Sequence, residues 1–143
     1  MANILMAFFR GNDEKKIPAF YESFIDGLDK YNNSLLVYAH GIFCGNFGRP
    51  NEDICKEICD FNPDIAFLFN NAFFDISDIV KCPIVVYEVD TPLYYSNWNN
   101  MIANRNRYMF VVTQVESINY LVENGFKEDR IFKLPFFSEI SPQ

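Results

Sequence analysis

Six short apolar runs, separated by amphipathic or loop-like stretches, set what this chain can fold into. They are NILMAFF at 3–9, SLLVYA at 34–39, DIAFLF at 64–69, IVVYEV at 84–89, YMFVV at 108–112 and IFKL at 131–134. Each is nearly continuous in apolar residues rather than alternating. That is the pattern of strands buried on both faces, which occur in parallel sheets. Strictly alternating strand and helix signals point to the same architecture.

The intervening segments carry helical spacing. Ile17, Phe20, Phe24, Ile25, Leu28 and Tyr31 line one face of a helix predicted near 17–31. Asn51 is placed to cap a second helix, with Glu52 and Asp53 in its first turn. Ile54, Cys55, Ile58 and Phe61 share a face there, and Pro63 ends it. A short helix or turn is expected near 72–80 and a helical segment near 97–106. Thr113 and Glu116 form a capping-box pattern for a helix that presents Val115, Ile118, Leu121 and Val122 to the sheet. Gly125 sits where a helix C′ residue belongs. Right-handed crossovers then give an α/β fold: a doubly wound, mostly parallel six-stranded Rossmann-like sheet with helices on both faces. It is expected to span residues 1–134, with 135–143 (PFFSEISPQ) as an irregular tail or linker.

Composition removes several function classes. The chain has 143 residues, half of them hydrophobic, and a formal net charge of −7. A nucleic-acid binder carries a basic excess, so no nucleic-acid partner is expected. Adhesion to an anionic membrane is disfavoured on the same ground. No apolar stretch approaches the ~20 residues of a transmembrane helix. The N-terminus lacks the basic region and cleavage site of a leader, so a cytoplasmic location is expected. Cys44, Cys55, Cys59 and Cys82 are then reduced, and read as buried structural thiols. With His40 their spacing matches no standard zinc site, so no metal is expected.

Ligands of a doubly wound sheet bind beyond the carboxyl ends of the strands, at the switch point of the strand order. An order of 3-2-1-4-5-6 puts that point between strands one and four. The loop of Arg10, Gly11 and Asn12 would then face the loop after strand four. The latter holds Asp90, Thr91, Tyr94, Tyr95, Asn97 and Trp98. Aromatic faces beside amide and hydroxyl groups suit a polyhydroxylated ligand. The same rings can instead pack a helix onto the sheet, and Asp90 can instead cap a turn. His40, the single histidine, falls at the carboxyl end of strand two and is a candidate base. Gly41, Gly45 and Gly48 follow strand two without forming a dinucleotide fingerprint, and a P-loop is absent. No cofactor is therefore expected.

Three segments resemble the N-terminal, acceptor-side half of GT-B glycosyltransferases, especially bacterial enzymes of surface-polysaccharide biosynthesis. VYEVDTP at 86–92 resembles the strand-four D-x-P segment of that group. VVTQVESINYLVENGF at 111–126 resembles its strand–helix–Gly unit, and RIFKLPFF at 130–137 the exit towards its second domain. The chain departs from the group at Pro135-Phe136-Phe137 and at the reduced turn Arg10-Gly11-Asn12. The resemblance implies binding of a sugar acceptor here. A nucleotide-sugar donor would be held by a C-terminal domain outside this chain. It also implies a catalytic or polar role for Asp90, while no histidine follows strand one. Two other readings stay open: a non-catalytic Rossmann-like module for a ligand or partner, and half of a GT-B-fold sugar-nucleotide epimerase.

Overall fold

The computed structural model describes residues 2–10, 19–31, 33–41, 52–70, 76–88, 92, 95 and 98–134. The elements alternate as expected: β1 (Asn3–Arg10), α1 (Ala19–Lys30), β2 (Ser34–Gly41), α2 (Glu52–Phe61), β3 (Ile65–Phe69), β4 (Ile84–Glu88), α3 (Trp98–Ala103), β5 (Tyr108–Val112), α4 (Val115–Glu123) and β6 (Ile131–Lys133). Single 3-10 turns occupy Ile76–Asp78, Arg105–Arg107 and Glu128–Arg130. The six strands form one sheet in which every neighbouring pair is parallel.

The strand order is β2-β1-β3-β4-β5-β6. This corrects the order 3-2-1-4-5-6. β3 lies between β1 and β4, and β2 is the edge strand. Burial gives the reason. Ala66, Leu68 and Phe69 of β3 are buried across both faces, whereas residues 35–38 of β2 are all half-buried. A strand apolar on both faces gains most at the centre, and one carrying Ser34, Tyr38 and His40 is better placed at the rim. The switch point accordingly moves to the gap between β1 and β3.

Alternation along the strands separates two cores. On one face Leu5, Ala7, Ala66, Leu68, Ile84, Val86, Phe110 and Ile131 pack under α2, α3 and α4. On the other, Met6, Phe8 and Phe69 pack against Phe24 and Ile25 of α1. Helices therefore cover both faces. The division follows from handedness. The β1-to-β2 crossover runs one way along the sheet and all later crossovers run the other way. Right-handed connections must then land on opposite sides.

Helix ends show where local signals hold and where they fail. Phe126 donates its amide to the Leu121 carbonyl and Gly125 to the Val122 carbonyl. With Gly125 at φ 110°, this is a Schellman closure of α4. Its N-terminus differs from the capping-box expectation. Gln114 is the N-cap and makes no side-chain cap hydrogen bond. Val115 is 53% exposed and Val122 is exposed too, so Ile118, Leu121 and Ser117 form the inward face instead. Tyr31, placed on the apolar stripe of α1, lies just past the helix and is 76% exposed. α2 ends on Asn62 at φ 52°, whose amide donates to the Ile58 carbonyl, ahead of Pro63. Asn51 and Cys44 lie outside the described residues.

Side chains tie strands and helices at defined points. Tyr38 of β2 donates its hydroxyl to Glu57 of α2. Burial, then that bond and the Glu57 charge, hold the phenol protonated well above its ordinary range. Arg107 knits the amino edge of the sheet. Its guanidinium donates to the carbonyls of Val80, Cys82 and Ser77 and to Asn104 Oδ1, at 2.6 to 3.1 Å.

Candidate functional site

The carboxyl edge of the sheet is where this architecture presents polar groups to ligands. Register places them. Phe69 pairs with Tyr87 and Glu88 with Val112. Asn70, Glu88 and Thr113 therefore stand at nearly one level, at the ends of β3, β4 and β5. Asn70 sits at φ 54°, a left-handed conformation that Asn tolerates better than most residues. Its amide donates to the Tyr87 carbonyl at 2.8 Å.

Glu88 is the notable group. It shares the inner face with Ile84 and Val86 and is fully buried. The Tyr95 hydroxyl donates to its Oε1 at 2.6 Å. A buried carboxyl group is costly unless hydrogen-bonded, so this tie is a strong constraint on the connection between β4 and α3. Tyr95 is itself only 5% exposed, and its amide closes a turn onto the Pro92 carbonyl. Its ring lies 5.4 Å from that of Trp98. Trp98 begins α3 and meets Tyr120 and Phe126 at 5.6 and 6.2 Å.

The sequence-expected residues are thus distributed as follows. Tyr95 and Trp98 are brought together, with their rings packed between the sheet and α4. Arg10 ends β1 and pairs with Gly41, and His40 pairs with Phe9. These two backbone positions stand side by side at the carboxyl edge. β1 and β3 intervene between the strand bearing His40 and the strand leading to Asp90. At the usual strand spacing that is about 14 Å, so the sheet does not place His40 beside the root of the Asp90 segment. The ends of β1 and β4 are likewise separated by β3 rather than adjacent. Gly11, Asn12, Asp90, Thr91, Tyr94 and Asn97 lie outside the described residues.

Sequence reasoning missed Glu88. The available signal was one acidic residue in IVVYEV at an even spacing from Ile84 and Val86, which directs it into the core. Asn70 was legible as the residue that ends strand three, but not as a neighbour of the ends of β1 and β4, because the expected strand order put that strand at the edge.

Thiols and cavities lie elsewhere. Cys82 is buried, and burial raises its pKa against an opposing pull from Arg107. Cys55 is half-buried and Cys59 exposed, which corrects their reading as buried thiols. All three are free. Among the described residues no cluster of three or more His, Cys, Asp or Glu could hold a metal ion, and no helix is long and apolar enough to cross a membrane. A cavity of about 480 Å³ lies at the amino edge between Cys59, Asp64, Ile79 and Cys82. A second, of about 330 Å³, lies at the same edge on the α1 side of the sheet. Comparison with protein-family models, with curated proteins and with solved structures finds no match to this chain.

Proposed function

We propose that the chain is the acceptor-binding domain of a GT-B-type glycosyltransferase. It would serve transfer of a sugar from a nucleotide-sugar to a cell-surface glycan or a lipid-linked acceptor. The observation that carries this reading is the Glu88–Tyr95 bond at the carboxyl end of β4. It ties Tyr95 to the end of β4, at the edge where such sheets bind ligands, and Asp90 and Tyr94 fall in sequence between the two tied residues. In this reading Asp90 meets the acceptor hydroxyl. Arg10, Thr91, Tyr94 and Asn97 bind the acceptor. Tyr95 and Trp98 hold the connection in place. A second domain supplies the donor site.

The test is Asp90→Asn in the full-length protein, assayed with nucleotide-sugar and acceptor. A fall in kcat/KM of about 100-fold or more, with an unchanged melting temperature, is the expected result. An unchanged kcat/KM in a folded variant removes Asp90 from the mechanism. A second reading draws on the packing of Tyr95 and Trp98 into the core. Rings committed to structure suit a Rossmann-like module that binds a ligand or partner without turning it over. Nucleotide-sugar consumption by the wild-type protein separates the two.

A further inference from the structure

The α1 side of the sheet is unevenly covered. α1 packs over β1, β2 and β3 through Phe24 and Ile25. Beyond it, Val85, Met109 and Val111 of β4 and β5 are half-buried, and Phe132 of β6 is 46% exposed. Register aligns them, with Val85 against Met109 and Val111 against Phe132. This apolar strip runs into the 330 Å³ groove at the amino edge, whose floor is Ile65, Val85 and Met109.

The rim of that groove has an unexpected charge. Lys81, Arg107 and Arg130 line it, and no carboxylate is among the described residues of its lining. The chain as a whole carries a net charge of −7, so three cations around one groove run against its composition, and the carboxylate of Asp64 lies in the neighbouring cavity that Lys81 also lines. Two of the three are held in place. Arg107 is fixed by four neutral oxygens, and Arg130 donates to the Asn106 carbonyl. The side chain of Arg107 is therefore already ordered in the folded protein, so its conformational cost is met by folding.

We infer that this groove binds a single-chain amphiphilic anion of the fatty-acid type. Its carboxylate would sit between Lys81 and Arg130, with Arg107 adding charge beside them while its terminal N–H groups stay on protein oxygens. Its chain would lie over Ile65, Val85 and Met109 towards Val111 and Phe132. Cations at one end and an apolar floor leading away from them match a head and a tail, and the volume is at the lower end of ligand sites. A peptide adding a strand is a poorer fit, because the groove crosses strand ends within the sheet instead of following a free edge. The site is at the amino edge, opposite the carboxyl end of β4, so it stands independently of the glycosyltransferase reading.

The experiment titrates the protein with octanoate, decanoate and dodecanoate below their micelle concentrations, followed by amide chemical shifts and calorimetry. Decanol and inorganic phosphate serve as comparison ligands. The expected result is saturable binding that tightens about threefold per added methylene. Shifts should be concentrated at Val85, Met109 and Arg130. The Lys81→Glu/Arg130→Glu variant, with melting temperature checked, should weaken dodecanoate at least tenfold and leave decanol unchanged. Met109→Gln should shorten the gain per methylene. Several results would overturn the proposal: no binding below about 1 mM, shifts mapping to another face, phosphate binding as tightly as dodecanoate, or association with phosphatidylglycerol vesicles without binding of the free acids.

Discussion

At the scale of single residues, one buried pair, Tyr95–Glu88, and one pair at the surface, Tyr38–Glu57, carry more constraint than their number suggests. Removing the Tyr95 hydroxyl leaves the fully buried Glu88 carboxyl short of a donor. Tyr95→Phe should therefore destabilise the protein by about 1–3 kcal/mol in urea unfolding, with an unchanged m-value. A loss below about 0.5 kcal/mol would mean that the bond contributes little. Tyr38 gives a pH signature. Its folded pKa is raised above the unfolded one, so the folded state retains a proton that the unfolded chain releases. Its contribution is then fully present below about pH 10 and lost progressively above it. Tyr38→Phe should flatten the decline of stability between about pH 10 and 11.5. A residual slope should persist from Tyr87, whose phenol is also raised by burial. Identical alkaline slopes for the two proteins would refute the assignment to Tyr38.

At the scale of elements, capping signals differ in how far they bind the chain. Gly125 is required by backbone geometry. It holds φ 110°, and a Cβ there would meet Ile102 Cδ1 at 3.1 Å. Gly125→Ala should cost about 1–3 kcal/mol, seen as a drop in melting temperature, because both the dihedral and the contact oppose it. A neutral substitution would contradict the Schellman geometry. Such a glycine is legible in sequence because no other residue takes that conformation cheaply. The Thr113–Glu116 pattern is not decisive in the same way. A cap is worth only about 1 kcal/mol. Here β5 runs to Val112, and the turn that follows starts the helix after Gln114. The inward face of α4 rotated with it, so Ser117 is buried while Val115 and Val122 face outwards.

At the scale of the whole molecule, strand order distributes stability. β1, β3 and β4 each have hydrogen-bonded neighbours on both sides, whereas β2 and β6 are edges. Amide exchange should be slowest in β1, β3 and β4, with Leu5, Leu68 and Val86 among the most protected, and faster in β2 and β6. Slow exchange in β2 matching that of β3 would contradict the observed order. The same order decides the edge chemistry. It brings the end of β3, with Asn70, between the ends of β1 and β4, and it puts β1 and β3 between the strand of His40 and β4.

The elements themselves were legible in the sequence, because burial on two faces writes a continuous apolar run and helical packing writes a 3.6-residue period. Strand five was read to the residue, at Tyr108–Val112, since polar or turn-forming neighbours bound it on both sides. Parallel pairing followed from the same runs. What tertiary structure decided was adjacency: β3 inside β2, α1 as the one described helix on its face, Glu88 against Tyr95, and three cations around one groove. These depend on which way each crossover turns and which strand gains most from two covered faces. Both are sums over contacts distant in the chain, and no local spacing encodes them.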